Sequence, residues 1–317
     1  MNIIKSEVSV IEQEPGIEGL YRFMEKCGRV TYKTEDKITQ DSYSRFIKNV
    51  IYDRGHWAVF NLGTVYLKFG EWYEYNIFNE LKKTAPWTKW QKIEKDIYLT
   101  TNYRVICQLG LQDFMETYWV EPTEYHYHRV GAKFICNRTT SHQLVRHRIL
   151  CPLQESQRYC NYSRDKFGNE LTFILPQWIY KERDIIGNTV DPLTGESRKY
   201  ILSLDGVELW DTLCCCSRVV ASRDKFWKYV EDEYMYELSD ECELIPEDAR
   251  GVLCGDIKTE LCMVGYVEDW YYEPPKDSKE KAGFFTLRSA KDAQSDIRVL
   301  SNSLKEQFGE RGYDKLK

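Results

Sequence analysis

The chain has 317 residues, 42% hydrophobic and 30% charged, with 18 Gly and 9 Pro, a balance that excludes disordered, collagen-like and low-complexity classes and allows a sizeable core. Lys and Arg number 44 against 50 Asp and Glu, a formal charge of −6, which argues against a nucleic-acid polymer as partner but allows a small anion in a local basic pocket. No apolar run is long enough to span a membrane, and the opening MNIIKSEVSVIEQEPG carries charges where a signal peptide needs an apolar stretch, so a cytoplasmic protein without a membrane partner is expected.

Residues 64–79, TVYLKFGEWYEYNIFN, are dense in aromatic and β-branched side chains and predict strand or a packed aromatic cluster. A short helix is expected around Thr139 to Ser141, whose hydroxyls can cap HQLVRHR, with Pro152 ending it. Residues 181–200 and 273–283 combine turn dipeptides with charge and read as surface excursions. Helical spacing recurs after Leu204 through Val207, Trp210, Leu213 and Cys214, and again through Ala290, Ala293, Ile297, Leu300, Leu304 and Phe308. No repeat or Gly/Ser linker marks a boundary, so residues 1–317 are expected to form one domain. The 11 cysteines are odd in number and include consecutive Cys214, Cys215 and Cys216, which favours reduced thiols; without CxxC or HExxH spacing, no metal is expected.

The densest polar cluster runs from Ser141 to Tyr159, SHQLVRHRILCPLQESQRY. On a helix, Gln143 and Arg146 would share a face while His147 and Arg148 rotate away, so one element could serve two ligands. Arginine forks grip phosphate or hydrogen-bond a ring system, and the loop from Gln154 to Arg158 could wrap an anionic nucleotide. An isolated Arg-His-Arg is ordinarily a solvated basic face.

Arg146-His147-Arg148, seven residues, then Ser156 closely resembles the signature of the flavin-dependent thymidylate synthases. Cys27 to Tyr32 resembles that family's small-Arg-Val-Ser segment, and Gly55-His56 with Phe60 its flavin-contacting turn. Ala249-Arg250 through Leu253 resembles its Ala-Arg-x-x-Leu-Pro stretch, and Phe284 to Arg288 with Ala293-Gln294 and Ile297 its Phe-Leu-x-Leu-Arg and Ala-Gln-x-x-Ile helix. The resemblance spans residues 27–300, with insertions near 65–125, 181–200 and 273–283.

It implies an α+β fold, largely antiparallel sheet packed against helices, assembled as a homotetramer with FAD between subunits. The implied reaction moves a one-carbon unit from methylenetetrahydrofolate to C5 of dUMP, reduced FAD supplying the hydride and NADPH recharging it. Gln143, Arg146, Gln154, Glu155, Ser156, Gln157, Arg158, Arg250 and Arg288 would surround the nucleotide; His56, Arg146, His147, Arg148 and Gln154 would touch the flavin. Arg288 would stabilise charge developing on the uracil ring, and Ser156, with no His spaced to activate it, would position rather than attack. Each has a bland counterpart: Arg288 as a helix-end pairing group, Arg250 paired with Glu247 or Asp248, His56 as a turn residue, Tyr159 as packing.

Gln154 and Asn61 stand where Glu is usual, Cys254 where Pro is, and Tyr266 and Glu268 about where an Asn and an Arg help hold FAD. The amide at 154 adds a donor, so methyl or hydroxymethyl transfer to dCMP or UMP is an alternative. A nucleotide-binding homologue without catalysis is another, and Cys151 as a thiol nucleophile a third. The aromatic stretch at 64–79 is the expected source of compensating flavin contacts.

Overall fold

A computed structural model describes residues 1–70, 74–177, 189–190, 197–198, 215–276, 278, 280 and 282–316. Strand β1 (Asn2–Ile4) leads into β2 (Glu7–Ile11) and helix α1 (Gly16–Tyr32), which buries Leu20, Met24, Cys27 and Val30. A short helix α2 (Ser42–Phe46), a widened turn over Ile47–Tyr52 and a tight 3₁₀ turn over Trp57–Asn61 follow. Next come β3 (Thr64–Gly70), α3 (Tyr75–Lys82), β4 (Lys89–Ile93), β5 (Asp96–Asn102), α4 (Tyr103–Leu109) and α5 (Gln112–Tyr118). The aromatic stretch at 64–79 is therefore divided. Its β-branched half is strand, and its polar half from Tyr75 is a helix that buries Phe78 and Leu81.

The second half supplies β6 (Arg129–Asn137), α6 (Arg138–Leu144), β7 (Leu153–Gln154) and β8 (Thr172–Ile174). Strands β9 (Thr189–Val190) and β10 (Ser197–Arg198) pair with each other. They are followed by α7 (Cys215–Glu237), α8 (Pro246–Ala249), β11 (Lys258–Tyr266), α9 (Val267–Tyr271), α10 (Phe284–Arg288) and α11 (Ser295–Glu310). The helix expected through Val207, Trp210, Leu213 and Cys214, and most of the excursion at 181–200, lie outside the described residues.

The main sheet is antiparallel in the order β2-β6-β11-β7, and a second antiparallel sheet runs β3-β5-β4. This is the expected α+β class, with these two larger sheets and two two-stranded ones among the described residues, β1 parallel to β8 and β9 antiparallel to β10. Helix α11 buries Ile297, Leu300, Leu304 and Phe308 with Trp270, Phe284 and Phe285 in the core of the main sheet. Each such side chain contributes about 1.5–3 kcal/mol. Ala290 and Ala293 precede that helix, which starts only at Ser295. The inner faces of the second sheet pack with α1 and the 57–61 turn in a separate apolar cluster.

The two sheets are pinned by Tyr266 at the end of β11. Its buried hydroxyl lies 2.9 and 2.7 Å from the carbonyls of Trp87 and Thr100 and accepts from the Lys89 N–H at 3.2 Å. Arg129, paired with Tyr266 across the ladder, donates to the carbonyls of Gly63 at 3.1 Å and Asn61 at 2.8 Å. Lys89 stands 3.7 Å from both Glu268 and Asp269. Tyr266 and Glu268, departures from the family pattern, thus join β11 and α9 to the second sheet.

Helix α6 departs from expectation in a way that shapes the site. Asn137, extended at the end of β6, caps it by accepting the Thr140 N–H at 2.7 Å, so the helix starts before Thr139. It ends at Leu144, and the chain then tightens through i→i−3 bonds from His147 to Leu144 and from Leu150 to His147. Arg146 and His147 lie past the helix and Arg148 opens a separate 3₁₀ turn, Arg148–Leu150, so the Pro152 that follows it does not end α6. Gly265 permits this turn to sit on β11: a Cβ there would lie 2.4 Å from Leu150 Cδ2 and 3.2 Å from its Cα.

Candidate active site

Two segments far apart in sequence, Gln143 to His147 and Phe284 to Asp296, meet at Arg288. Its Nε–H donates to His147 Nε2 at 2.8 Å, Nη1 to Gln143 Oε1 at 3.3 Å, and Nη2 to the Gln143 carbonyl at 3.1 Å. Gln143 in turn donates to Gln294 Oε1, and Gln294 to Asp296 at 3.1 Å. Phe284 fixes the ring from the other side, edge-on to His147 with centroids 5.1 Å apart. A guanidinium has five N–H hydrogens, so two on Arg288 have no protein acceptor among the described residues.

Burial and the Arg288 charge push His147 down to about 4, which keeps the imidazole neutral with its proton on Nδ1 and Nε2 free to accept. Burial, and the like charge of Arg146, lower Arg288 from its ordinary value. The sign of the histidine shift makes a prediction for stability. Above pH 6.5, the ordinary value, the group contributes nothing to the slope; between 6.5 and about 4 only the unfolded chain takes up the proton, so stability falls as pH falls. The loss reaches about 3 kcal/mol at most. His147→Gln, which keeps an acceptor for Arg288, is expected to flatten that slope in denaturant midpoints measured from pH 7 to 4.

The loop from Gln154 to Arg158 hangs on β11. Pairing of β7 with β11 sets Gln154 opposite Leu261, where its Nε2 donates to Ser141 Oγ at 2.8 Å and Thr259 Oγ1 at 3.0 Å. The amide orientation is decided by Ser141, whose own hydrogen goes to the Arg138 carbonyl at 2.8 Å, leaving its oxygen to accept. Both Gln154 hydrogens are therefore spent, and the group left for a ligand is Oε1, an acceptor. The expected extra donor is not presented.

Glu155 is buried and serves structure: it accepts from the Tyr162 hydroxyl at 2.7 Å and from the Glu260 N–H at 3.1 Å. Ser156 docks on the end of α1 through its N–H to the Thr31 carbonyl at 2.9 Å. Gln157 is buried, and its Nε2 has no partner among the described residues, which leaves a donor for a ligand. Arg158 is exposed and paired with Glu247 at 2.7 Å. Glu247 was one of two acids, with Asp248, offered as the structural alternative for Arg250, which is half-buried without an ion pair among the described residues. Arg250 adds to the burial that lowers Arg138, a cation at the start of α6. Arg138 was missed in the sequence, where it shows only as one basic residue just after Asn137.

His56 caps no helix end by its side chain; its Nδ1 meets the Tyr32 hydroxyl and its ring stacks on Tyr32 with centroids 5.7 Å apart. Exposed Tyr159 leans on both rings, at 5.6 and 6.3 Å. Arg146 and Arg148 are exposed. No hydrogen bond or ion pair joins His56, Arg158 or Arg250 to Arg288 among the described residues. Cys151 is buried beside Arg129, and burial pushes its thiol up despite that charge, the opposite of an activated nucleophile. Among the described residues no helix is long and apolar enough to cross a membrane, and no cluster of ligating side chains could hold a metal.

Residues 126–311, more than half of the chain, match the family model described as thymidylate synthase complementing protein. A flavin-dependent thymidylate synthase of Pyrococcus furiosus is 26% identical over 176 residues, 56% of this chain and 52% of that protein. A second, from Pyrococcus abyssi, is 44% identical over 50 residues, 16% of this chain and 20% of that protein. The chain thus spans about half the length of the first relative. Among solved structures, a UMP/dUMP methylase PolB from Streptomyces cacaoi bound with 5-Br dUMP covers 98% of this chain and 93% of its own, at 13% identity and a TM-score of 0.38. The matched span contains α6, the Arg-His-Arg turn, the loop to Arg158, β11 and α10, and the chain belongs to the thymidylate synthase complementing protein family, that of the flavin-dependent thymidylate synthases.

Proposed function

We propose that this chain is a flavin-dependent nucleotide methylase that converts dUMP to dTMP, with methylenetetrahydrofolate as one-carbon donor and NADPH as reductant. The observation that carries the reading is Arg288, a permanently charged fork held by a neutral histidine and an amide with two hydrogens to spare. Uracil C5 is a weak carbon nucleophile, and negative charge developing at N3 and its neighbouring carbonyls needs a fixed donor that does not give up its proton. Arg288 meets that need. Gln143 orients it, and Gln154 Oε1, Ser156 and Gln157 Nε2 supply an acceptor, a hydroxyl and a donor around the nucleotide. Arg158 and Arg250 anchor its phosphate.

The residues present fit a flavin: Arg146 and Arg148 are exposed without ion pairs among the described residues, and His56 lies in a ring stack with Tyr32. The flavin, when bound, supplies the hydride. Gln154 offers an acceptor, as a carboxylate would, to which uracil N3–H and the cytosine amino group both donate, so the product assay decides between the two bases.

The test is purified protein incubated with FAD, its visible spectrum recorded before and after NADPH under anaerobic conditions, then given methylenetetrahydrofolate with dUMP, UMP or dCMP and the product weighed by mass spectrometry. Flavin bands that bleach, and a product of dTMP mass, are the expected result. A protein that stays colourless yet binds dUMP is a homologue without catalysis, and a modified dCMP or UMP as main product replaces the substrate assignment.

A further inference from the structure

The hydrogen bonds behind Arg288 run in one direction. Gln143 presents its Oε1 to Nη1 of Arg288, so its Nε2 faces away and donates to Gln294 Oε1. Gln294 Nε2 donates in turn to Asp296 Oδ2 at 3.1 Å. The row ends there, because Asp296 Oδ1 takes the backbone N–H of Gln177 at 2.8 Å. Asp296 is buried at the second position of α11, where an anion also meets the positive end of the helix. A side-chain amide has an oxygen end and a nitrogen end, and its partners decide which faces where. A carboxylate has no such choice, since both of its oxygens accept. The Gln177 N–H belongs to the backbone and cannot turn, so the direction of both amides is set from the buried end.

We propose that Asp296 is a positioning residue for the reaction: its two accepting oxygens turn the Gln294 and Gln143 amides so that an oxygen, and not a nitrogen, meets the Arg288 fork. Asp296→Asn reverses the row. It leaves one oxygen, which the Gln177 N–H claims, so the introduced amide nitrogen faces Gln294 and makes that side chain accept. Gln294 Nε2 then points at Gln143, whose oxygen turns to receive it. The Gln143 nitrogen is left against Arg288 Nη1, donor against donor. The fork keeps His147 Nε2 at 2.8 Å and the Gln143 carbonyl at 3.1 Å but loses its third hold. Gln294→Glu, added to Asp296→Asn, restores the direction, because its two oxygens accept both from the introduced amide and from Gln143 Nε2. A charge that serves only the end of α11 predicts no such reversal in activity. The inference deepens the proposed function and rests on it only for the reaction that Arg288 serves.

The experiment compares the full chain with Asp296→Asn, with Gln294→Leu, and with Asp296→Asn and Gln294→Glu combined. Three quantities are read: kcat for dUMP methylation, the dUMP dissociation constant by calorimetry, and the guanidinium NMR signals of Arg288, assigned by their loss in Arg288→Gln. Asp296→Asn and Gln294→Leu are each expected to lower kcat by about 10- to 100-fold with dUMP affinity little changed, the cost of a reacting group held about 1 Å out of place. The combined variant returns most of the lost kcat. Rotation of the Arg288 guanidinium, slow in wild type, becomes fast in both single variants and slow again in the combined one. Gln294→Leu leaves Asp296 its bond to Gln177 and so separates the relay from the stability of the helix end. Wild-type kcat in both single variants, or a loss in Asp296→Asn that Gln294→Glu does not reverse, overturns the proposal, as do guanidinium signals alike in every variant. A wild-type protein that makes no modified nucleotide sinks the thymidylate reading, and there the guanidinium signals alone uphold or overturn the role of Asp296.

Discussion

Arg288→Gln is expected to lower kcat for nucleotide methylation by about 100- to 1,000-fold, the range for removing one preorganised donor from a developing anion. The residue sits at the end of α10, and its three hydrogen bonds to His147 and Gln143 fix the fork before substrate arrives. The charge it meets grows only in the transition state, so the loss should fall on kcat more than on dUMP affinity. Arg288→Lys keeps the charge but cannot reach His147 and Gln143 together, and is expected to recover little. Steady-state kinetics with the dUMP dissociation constant and the flavin spectrum separate this role from a packing one. A kcat within threefold of wild type, accompanied by a lower thermal midpoint, would assign Arg288 to structure alone.

The largest stability effect is expected at Glu260. Its buried carboxylate receives Lys33 at 2.8 Å, Lys133 at 2.6 Å and Lys258 at 2.6 Å. Burial alone would raise this acid, but the attraction of Lys258 and Lys33 and the bond from Lys133 outweigh it and hold the carboxyl well below its usual range. Glu260→Gln leaves three ammonium groups facing one another, with Glu155 3.6 Å from Lys258 and Glu35 2.8 Å from Lys33 as partial relief. Breaking such a buried pair costs about 3–5 kcal/mol, to be read from denaturant unfolding. The depressed value makes this stabilisation complete above pH 4.5 and progressively lost as pH falls below it, so the gap between wild type and Glu260→Gln should close in acid. The backbone of Glu260 also accepts from the Glu155 N–H at 2.7 Å, so loosening β11 there loosens the loop that carries Gln154 to Arg158.

The legible part of the site was the part written locally. Arg146-His147-Arg148 with Ser156, and Phe284 to Arg288, could be picked out because residue type and spacing survive whatever the chain does around them. The same holds for Ile297, Leu300, Leu304 and Phe308, whose helical period is a property of sixteen adjacent residues in α11. The boundaries of α6 were misplaced because three hydroxyl residues looked like caps, while Asn137, one residue before the helix, did the capping. The Gln154 amide shows the limit of substitution reading: its chemistry suggests a donor, and only Ser141 and Thr259 beside it turn the outward face into an acceptor.

By itself the sequence pointed, through its resemblance, to the family and with it the mixed helical and antiparallel class, while its short-range period located helix α11; that Gln143 and His147 meet Arg288 came from the structure. Only the tertiary structure decided that Arg158 belongs to Glu247, that Arg138 stands beside Arg250, and that Tyr266 ties two sheets together. Each of those outcomes follows from strand register and sheet packing between segments tens to more than a hundred residues apart. The free energy that selects them comes from burial and pairing of the whole chain, and no local pattern carries it.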